Sequence, residues 1–237
     1  MNTKKDINDV LFIITAREQS TRVPLKMTSV MKDRNGKETC LFEIAICKIL
    51  TSKIIPREQF FVSLYEEDTQ LVSMAKKHNV NIYYRSKESA YAEKSLQVCF
   101  EWWNKLPFKY VVFFNACHPF VKVETIDNFI TTYLESDSFG LFGVIKKKNY
   151  FFSKDHKLIT PWPKDYKILN TKAVEETFEA AHTLYASKMD TIGHDIFMGT
   201  FLSENDPQLF EMDEFECFDV DYPWQFTAAR LMYSEMY

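Results

Sequence analysis

The feature that most constrains this chain is a repeated alternation: short β-rich apolar runs stand between longer segments of helical period. The runs are VLFIIT (Val10 to Thr15), FFVSL (Phe60 to Leu64), VNIYY (Val80 to Tyr84), YVVFFN (Tyr110 to Asn115) and FGLFGVI (Phe139 to Ile145). Near-continuous apolar strands separated by stretches long enough for a crossover helix predict a parallel sheet covered on both faces. The intervening segments agree. LFEIAICKILTS from Leu41 sets Leu41, Ile44, Ala45 and Lys48 on one helical face, and SLQVCFEWW from Ser95 and TIDNFITTYLES from Thr125 have similar spacing. The expected fold is α/β and Rossmann-like, a mostly parallel sheet with helices on both faces.

After Ile145 the texture changes to KKKNYFFSKDHKLITPWPKDYKILNTK, rich in aromatics, lysine and proline and without helical period. Residues 146–178 are expected to form an arm or hairpin inserted in a single domain spanning 1–237, and the arm's aromatics suit a homodimer contact. Tyr150, Phe151, Phe152, Trp162 and Tyr166 are too many rings for so short an arm to bury locally. Regular structure resumes with EAAHTLYAS (Glu179 to Ser187). ECFDVD reads as a late strand and a closing helix starts from Tyr222, where Pro223 fits the first turn because its missing N–H would be unpaired there.

With 46% hydrophobic and 26% charged residues, the 237-residue chain can bury one substantial core. A net charge of -4 without a long basic run gives no electrostatic footprint for nucleic acid or an anionic membrane, so a small-molecule partner is expected. Met1 to Asp9 is polar, and the first apolar run is too short for a signal peptide or a span; the expected location is cytoplasmic. Cys40, Cys47, Cys99, Cys117 and Cys217 are odd in number, scattered and without a CxxC pair, which argues against a disulfide framework or a zinc site.

Three segments could carry chemistry. The loop after the first strand, TAREQSTRVPLKM, places Arg17, Arg22 and Lys26 within ten residues at a strand's carboxyl end, where open α/β sheets bind ligands. These cations either offset a triphosphate's charge or form a solvated basic loop; the glycines of a Walker loop are absent. FDVD places Asp219 and Asp221 one residue apart, on one face if the segment is a strand, where the pair suits Mg²⁺ shared with phosphates. The other account makes Asp221 a cap of the following helix. In NACHPF, Asn115 can read a base edge or a substrate hydroxyl, or serve a turn, with His118 restricted by Pro119. His182, in the small and apolar EAAHTLYA, reads as a hydrogen-bonded core histidine more readily than as a substrate contact.

These pieces, in this order, resemble the cytidylyltransferases that activate acidic sugars: the CMP-sialic acid and CMP-Kdo synthetases and the SpsF-like group. Those enzymes open with a loop of the type ARGGSKRIPGKN or ARYASTRLPGK, and AREQSTRVPLKM matches it at Arg17, Ser20, Arg22, Pro24 and Lys26. YYRSKESA is similar to the family's RRPxxLA segment through Arg85. FFNACHPF stands where the sialic-acid branch has LLQPTSPL, and FDVDYPWQFTAA is similar to its DIDTPEDLxxA ending. The similarity runs along nearly the whole chain as ordered short motifs.

The resemblance implies a fold of the nucleotide-diphospho-sugar transferase type with a projecting dimerisation arm. It implies transfer of CMP from CTP to an acidic acceptor, a nonulosonic or other sugar acid, for surface glycan precursors, with Mg²⁺ bridging the phosphates. Arg17, Arg22 and Lys26 would hold the triphosphate and Asp219 and Asp221 the metal. Ala16, Ser20, Arg85, Asn115, His118 and His182 would line the substrate site, with Asn115 in place of the family's glutamine. Departures are also visible. Glu18 and Gln19 replace the family's two glycines, which adds a carboxylate where phosphates are expected; Leu25 and Met27 replace a glycine and an asparagine, Ser86 a proline, and Ala92 an aspartate. A phosphate or phosphonate acceptor, a metal-dependent glycosyltransferase of the GT-A type and a nucleotide-binding regulator are the competing readings.

Overall fold

The computed structural model describes residues 4–92, 95–165, 167–168, 170–202, 204 and 206–237. Its centre is β1 (Val10–Thr15), in which Val10 through Ile14 have no exposed surface. Side chains alternate along a strand, so the run feeds two cores. Phe12 and Ile14 pack towards α1 (Leu41–Thr51), α2 (Thr69–Lys77), α5 (Val123–Glu135) and α7 (Pro223–Met236). Leu11 and Ile13 pack on the other face with Trp102, Met189 and Ile192, the last two from α6 (Met189–Ile192). Both faces being apolar is the reason this strand has no polar alternation.

The two-stranded ribbon β2 (Met31–Lys32) and β3 (Glu38–Thr39) lies apart from the main sheet. That sheet has seven strands in the order β5-β4-β1-β6-β8-β7-β9. These are β4 (Phe60–Tyr65), β5 (Asn81–Arg85), β6 (Tyr110–Phe114), β7 (Leu141–Lys147), β8 (Thr177–Lys188) and β9 (Gln208–Met212). β5, β4, β1 and β6 are mutually parallel; β8 runs antiparallel to both β6 and β7, and β9 is parallel to β7. Two short helices, α3 (Lys87–Tyr91) and α4 (Leu96–Cys99), follow β5, and a 3-10 turn over Glu101–Asn104 interrupts the helix expected from Ser95.

Two expectations change. ECFDVD is not a strand. Cys217 N–H donates to the Glu214 carbonyl and Phe218 N–H to that of Phe215, so the segment turns, and Phe215 and Phe218 pack their rings on Phe120. Its apolar pattern comes from that packing, and the late strand is β9, whose mixed exposure disguised it. Between the β7 and β8 pairs Lys146↔Phe178 and Lys147↔Thr177, the chain makes an excursion with an isolated bridge, Phe152↔Leu158, and a stack of Tyr150 on Trp162 at 5.2 Å. Phe152, Ile159 and Ile168 are well exposed there; Tyr166 lies outside the described residues. Among the described residues no helix is long and apolar enough to cross a membrane.

Candidate active site at the ends of the parallel strands

The carboxyl ends of β1, β5 and β6 open on a cleft of about 490 Å³, lined by Ala16, Arg17, Ser20, Arg22, Lys26, Arg85 and Asn115 among others. The loop leaving β1 is fixed at its root. Arg85, 6% exposed, donates from Nη2 to the Ala16 carbonyl at 2.6 Å, and burial draws its guanidinium down to about 10. Arg17 lies against the Ala90 carbonyl at 3.4 Å, with its guanidinium over the Tyr91 ring. Leu25 keeps a left-handed backbone with φ 53°, a region that glycine adopts freely.

Glu18 does not face this cleft as a phosphate-repelling charge. Its carboxylate turns to the start of α2 and accepts Gln70 N–H at 2.6 Å and Leu71 N–H at 3.3 Å, while its own N–H donates to Asp68 at 3.3 Å. Asp68 precedes the helix and makes no cap of its own, so the loop supplies the anion that the helix N-terminus favours. Asp68 also accepts the Tyr91 hydroxyl, tying loop, α2 and α3 together.

The loop's other half meets the segment before α7. Lys26, 7% exposed, donates to the Val220 carbonyl at 2.7 Å and to Asp221 Oδ1 at 3.1 Å; Arg22 reaches the same oxygen at 2.9 Å. Asp221 is thus not the cap of α7. Tyr222 holds that place, and Gln225 Oε1 accepts the N–H groups of both Asp221 and Tyr222 at 2.8 Å. Asp219 stands close by, half-buried, with Oδ1 out of contact with any hydrogen-bond donor among the described residues. Burial first, and then the charge of Asp221, raises its pKa.

Asn115 lines the cleft, and both ends of its amide serve the turn: Nδ2 donates to the His182 carbonyl at 2.9 Å and Oδ1 accepts Cys117 N–H at 3.0 Å. His118 is not brought to the cleft. It is 2% exposed beneath the turn, neither ring nitrogen has a partner among the described residues, and burial pushes it down to about 4. His182, expected in the core, is exposed. The β7–β8 register slips between Phe142 and Val144, β8 bulges there, and His182 takes φ 54° with Nδ1 3.0 Å from the Tyr185 hydroxyl. Bulges of this kind re-aim a side chain beside a site.

Neither a family model nor a curated protein matches the sequence. Solved structures do match the fold. CMP:2-keto-3-deoxy-manno-octonic acid synthetase complexed with CTP aligns with TM-score 0.64 and 12% identity over 96% of this chain and 99% of its own. The 4-diphosphocytidyl-2C-methyl-D-erythritol synthase of Anaerococcus prevotii aligns with 0.61 and 15% over 94% and 95%. A cytidylyltransferase from Leptospira borgpetersenii aligns with 0.52 and 15% over 78% and 63%. The chain shares the α/β fold of these solved structures. That fold brings the segment before α7 against the loop that lines the cleft, so that Arg22 meets Asp221 across 199 positions of sequence.

No group of three His, Cys, Asp or Glu side chains that could hold a metal occurs among the described residues. Two neighbouring carboxylates, one with an unengaged buried oxygen, fit Mg²⁺ when its remaining ligands come from phosphates and water.

Proposed function

We propose that this chain is an Mg²⁺-dependent cytidylyltransferase that moves CMP from CTP to an acidic acceptor, a nonulosonic or other sugar acid. The observation that carries the reading is the convergence of Arg22 and Lys26 on Asp221 in a nucleotide-sized cleft at the ends of parallel strands. That contact holds two cations and a carboxylate together until a triphosphate enters and Arg22 and Lys26 exchange Asp221 for phosphate oxygens.

In the reaction the acceptor's hydroxyl oxygen attacks the α-phosphorus of CTP and gives up its proton to solvent, the bond from that phosphorus to the bridging oxygen breaks, and pyrophosphate carries away the charge. Arg17, Arg22 and Lys26 neutralise the triphosphate and the leaving group; positioning and charge supply most of what phosphoryl transfer needs. Arg85 holds the loop's root, and Ala16 and Ser20 form the nucleotide-side wall. Asp219 and Asp221 would hold Mg²⁺, which supplies charge neutralisation across the phosphates. His182, exposed on its bulge with its carbonyl held by Asn115, would contact the acceptor.

The test is pyrophosphate release, with CTP, ATP, GTP and UTP offered against nonulosonic acids, Kdo and small phosphate or phosphonate acceptors. Turnover with CTP and a sugar acid, and loss of most turnover in Asp221→Asn with circular dichroism unchanged, is the expected result. CTP binding without pyrophosphate release from any pairing would make the chain a nucleotide-binding regulator instead.

A further inference from the structure

A second cavity, about 730 Å³ and therefore larger than the cleft, shares no lining residue with it. It lies between α1, the end of α2, the start of α5, the last turns of α7 and the β2–β3 ribbon, whose Glu38 pairs with Lys32 at 3.5 Å and whose Asp33 accepts the N–H groups of Asn35 and Lys37 at 2.9 Å. Volumes of this order hold small organic ligands. Lys48, from α1, lines it; its ammonium donates to the Pro119 carbonyl and stands 5.7 Å from the centre of the Tyr237 ring. Tyr237 in turn stacks on Tyr233 with centroids 4.8 Å apart and planes 21° from parallel.

The charges around this cavity are unequal in their satisfaction. Lys77 pairs with Glu43 at 2.9 Å and Lys122 with Glu216 at 2.8 Å. Lys48 makes no ion pair among the described residues, and its burial lowers the ammonium's pKa to about 7. A cation held out of water against a carbonyl and a ring, without a carboxylate in ion-pair reach among the described residues, is costly, and an anion arriving beside it recovers that cost. The two tyrosine rings offer the flat apolar surface on which a base or sugar ring rests.

We propose that this cavity binds a small anion of mononucleotide size, its ring against Tyr233 and Tyr237 and its phosphate against Lys48. The site goes beyond the transferase reading and connects with it through two pieces of chain. Lys48 grips Pro119, which closes the turn that begins with Asn115 in the cleft, and α7 joins the tyrosines at one end to the segment of Asp221 at the other. An anion that draws Lys48 from Pro119 therefore acts on the turn flanking the cleft.

Isothermal titration with CMP as probe tests this on wild-type protein, Lys48→Met, Tyr237→Leu and the double variant Arg22→Ala/Lys26→Ala, each checked by circular dichroism. The expected result is a binding component that survives in the cleft double variant and weakens at least tenfold in Lys48→Met and severalfold in Tyr237→Leu. A CMP isotherm unchanged by Lys48→Met and Tyr237→Leu, or no CMP binding outside the cleft, overturns the proposal. Should Lys48→Met fail to fold, Tyr237→Leu decides alone. Absence of the component that depends on Arg22 and Lys26 counts against nucleotide binding in the cleft and leaves the second site standing.

Discussion

The carboxylate of Glu18 accepts the backbone N–H of Gln70 at 2.6 Å, so a residue of the β1 loop caps α2. Glu18→Ala therefore removes a helix cap and costs about 1 kcal/mol of stability. It leaves CTP affinity unimproved, because the charge it deletes is already engaged with the helix. Urea denaturation and CTP titration read the two effects separately, and tighter CTP binding in the variant would return Glu18 to the phosphates.

Leu25 carries φ 53° and is 46% exposed, so its side chain contributes little burial to offset a backbone that glycine adopts freely. The left-handed conformation costs roughly 1 to 2 kcal/mol for an ordinary residue, partly cancelled in glycine by the entropy of the unfolded chain. Leu25→Gly is expected to stabilise by up to about 1 kcal/mol, and Leu25→Ile to destabilise by about as much, since β-branching makes that backbone harder still. Midpoints of denaturation that order the three the other way would contradict the geometry.

Arg22 and Lys26 share Asp221 and differ in burial. Half of the Arg22 side chain is exposed, whereas Lys26 is enclosed and also holds the Val220 carbonyl. Arg22→Ala should leave stability within about 0.5 kcal/mol, as exposed ion pairs do, and still weaken CTP use by about tenfold to a hundredfold. Lys26→Ala should lose CTP use similarly and stability by about 2 kcal/mol or more, because a buried carbonyl and carboxylate lose their donor. Equal stability of the two variants would place Lys26 in solvent.

Burial pushes His118 down to about 4 in the folded chain from an ordinary 6.5. Below pH 6.5 the unfolded chain takes up a proton that the folded one refuses, so stability falls as pH drops towards 4 and is recovered above 6.5. Between pH 7.5 and pH 5 this amounts to about 2 kcal/mol. His118→Gln should flatten the pH dependence by that amount in chemical denaturation at the two values. An unchanged slope would mean the imidazole is solvated.

The excursion between β7 and β8 exposes Phe152, Ile159 and Ile168, and a homodimer is expected to cover them. Light scattering should give a dimer at micromolar concentration, and Phe152→Ser/Ile159→Ser a monomer. A monomeric wild type would leave the arm without that role.

How far the sequence carries follows from where each partner lies. β1 was legible because five buried apolar residues in a row suit little but a strand covered on both faces, and Pro223 marked the first turn of α7. The loop and the acidic pair were each visible as motifs, but the contact of Arg22 with Asp221 spans 199 residues and belongs to the fold. The Glu18 cap was illegible for the same reason, its helix beginning about fifty residues on. ECFDVD imitated a strand because Cys217, Phe218 and Val220 pack onto the core by turning. His182 looked internal because nothing in EAAHTLYA announces the slip in register that turns it outward.

The contacts of Lys26 with Val220 and of Arg22 with Asp221 join residues 194 and 199 positions apart. During synthesis the first strand and its cationic loop leave the ribosome long before the segment that neutralises them. Throughout that interval Lys26 has no buried place to occupy, and Arg22 and Lys26 lack the carboxylate that engages them in the folded chain. Maturation of the cleft therefore comes late in the chain's production rather than early, and a chain released before residue 219 would carry all seven strands of the sheet with an unassembled site.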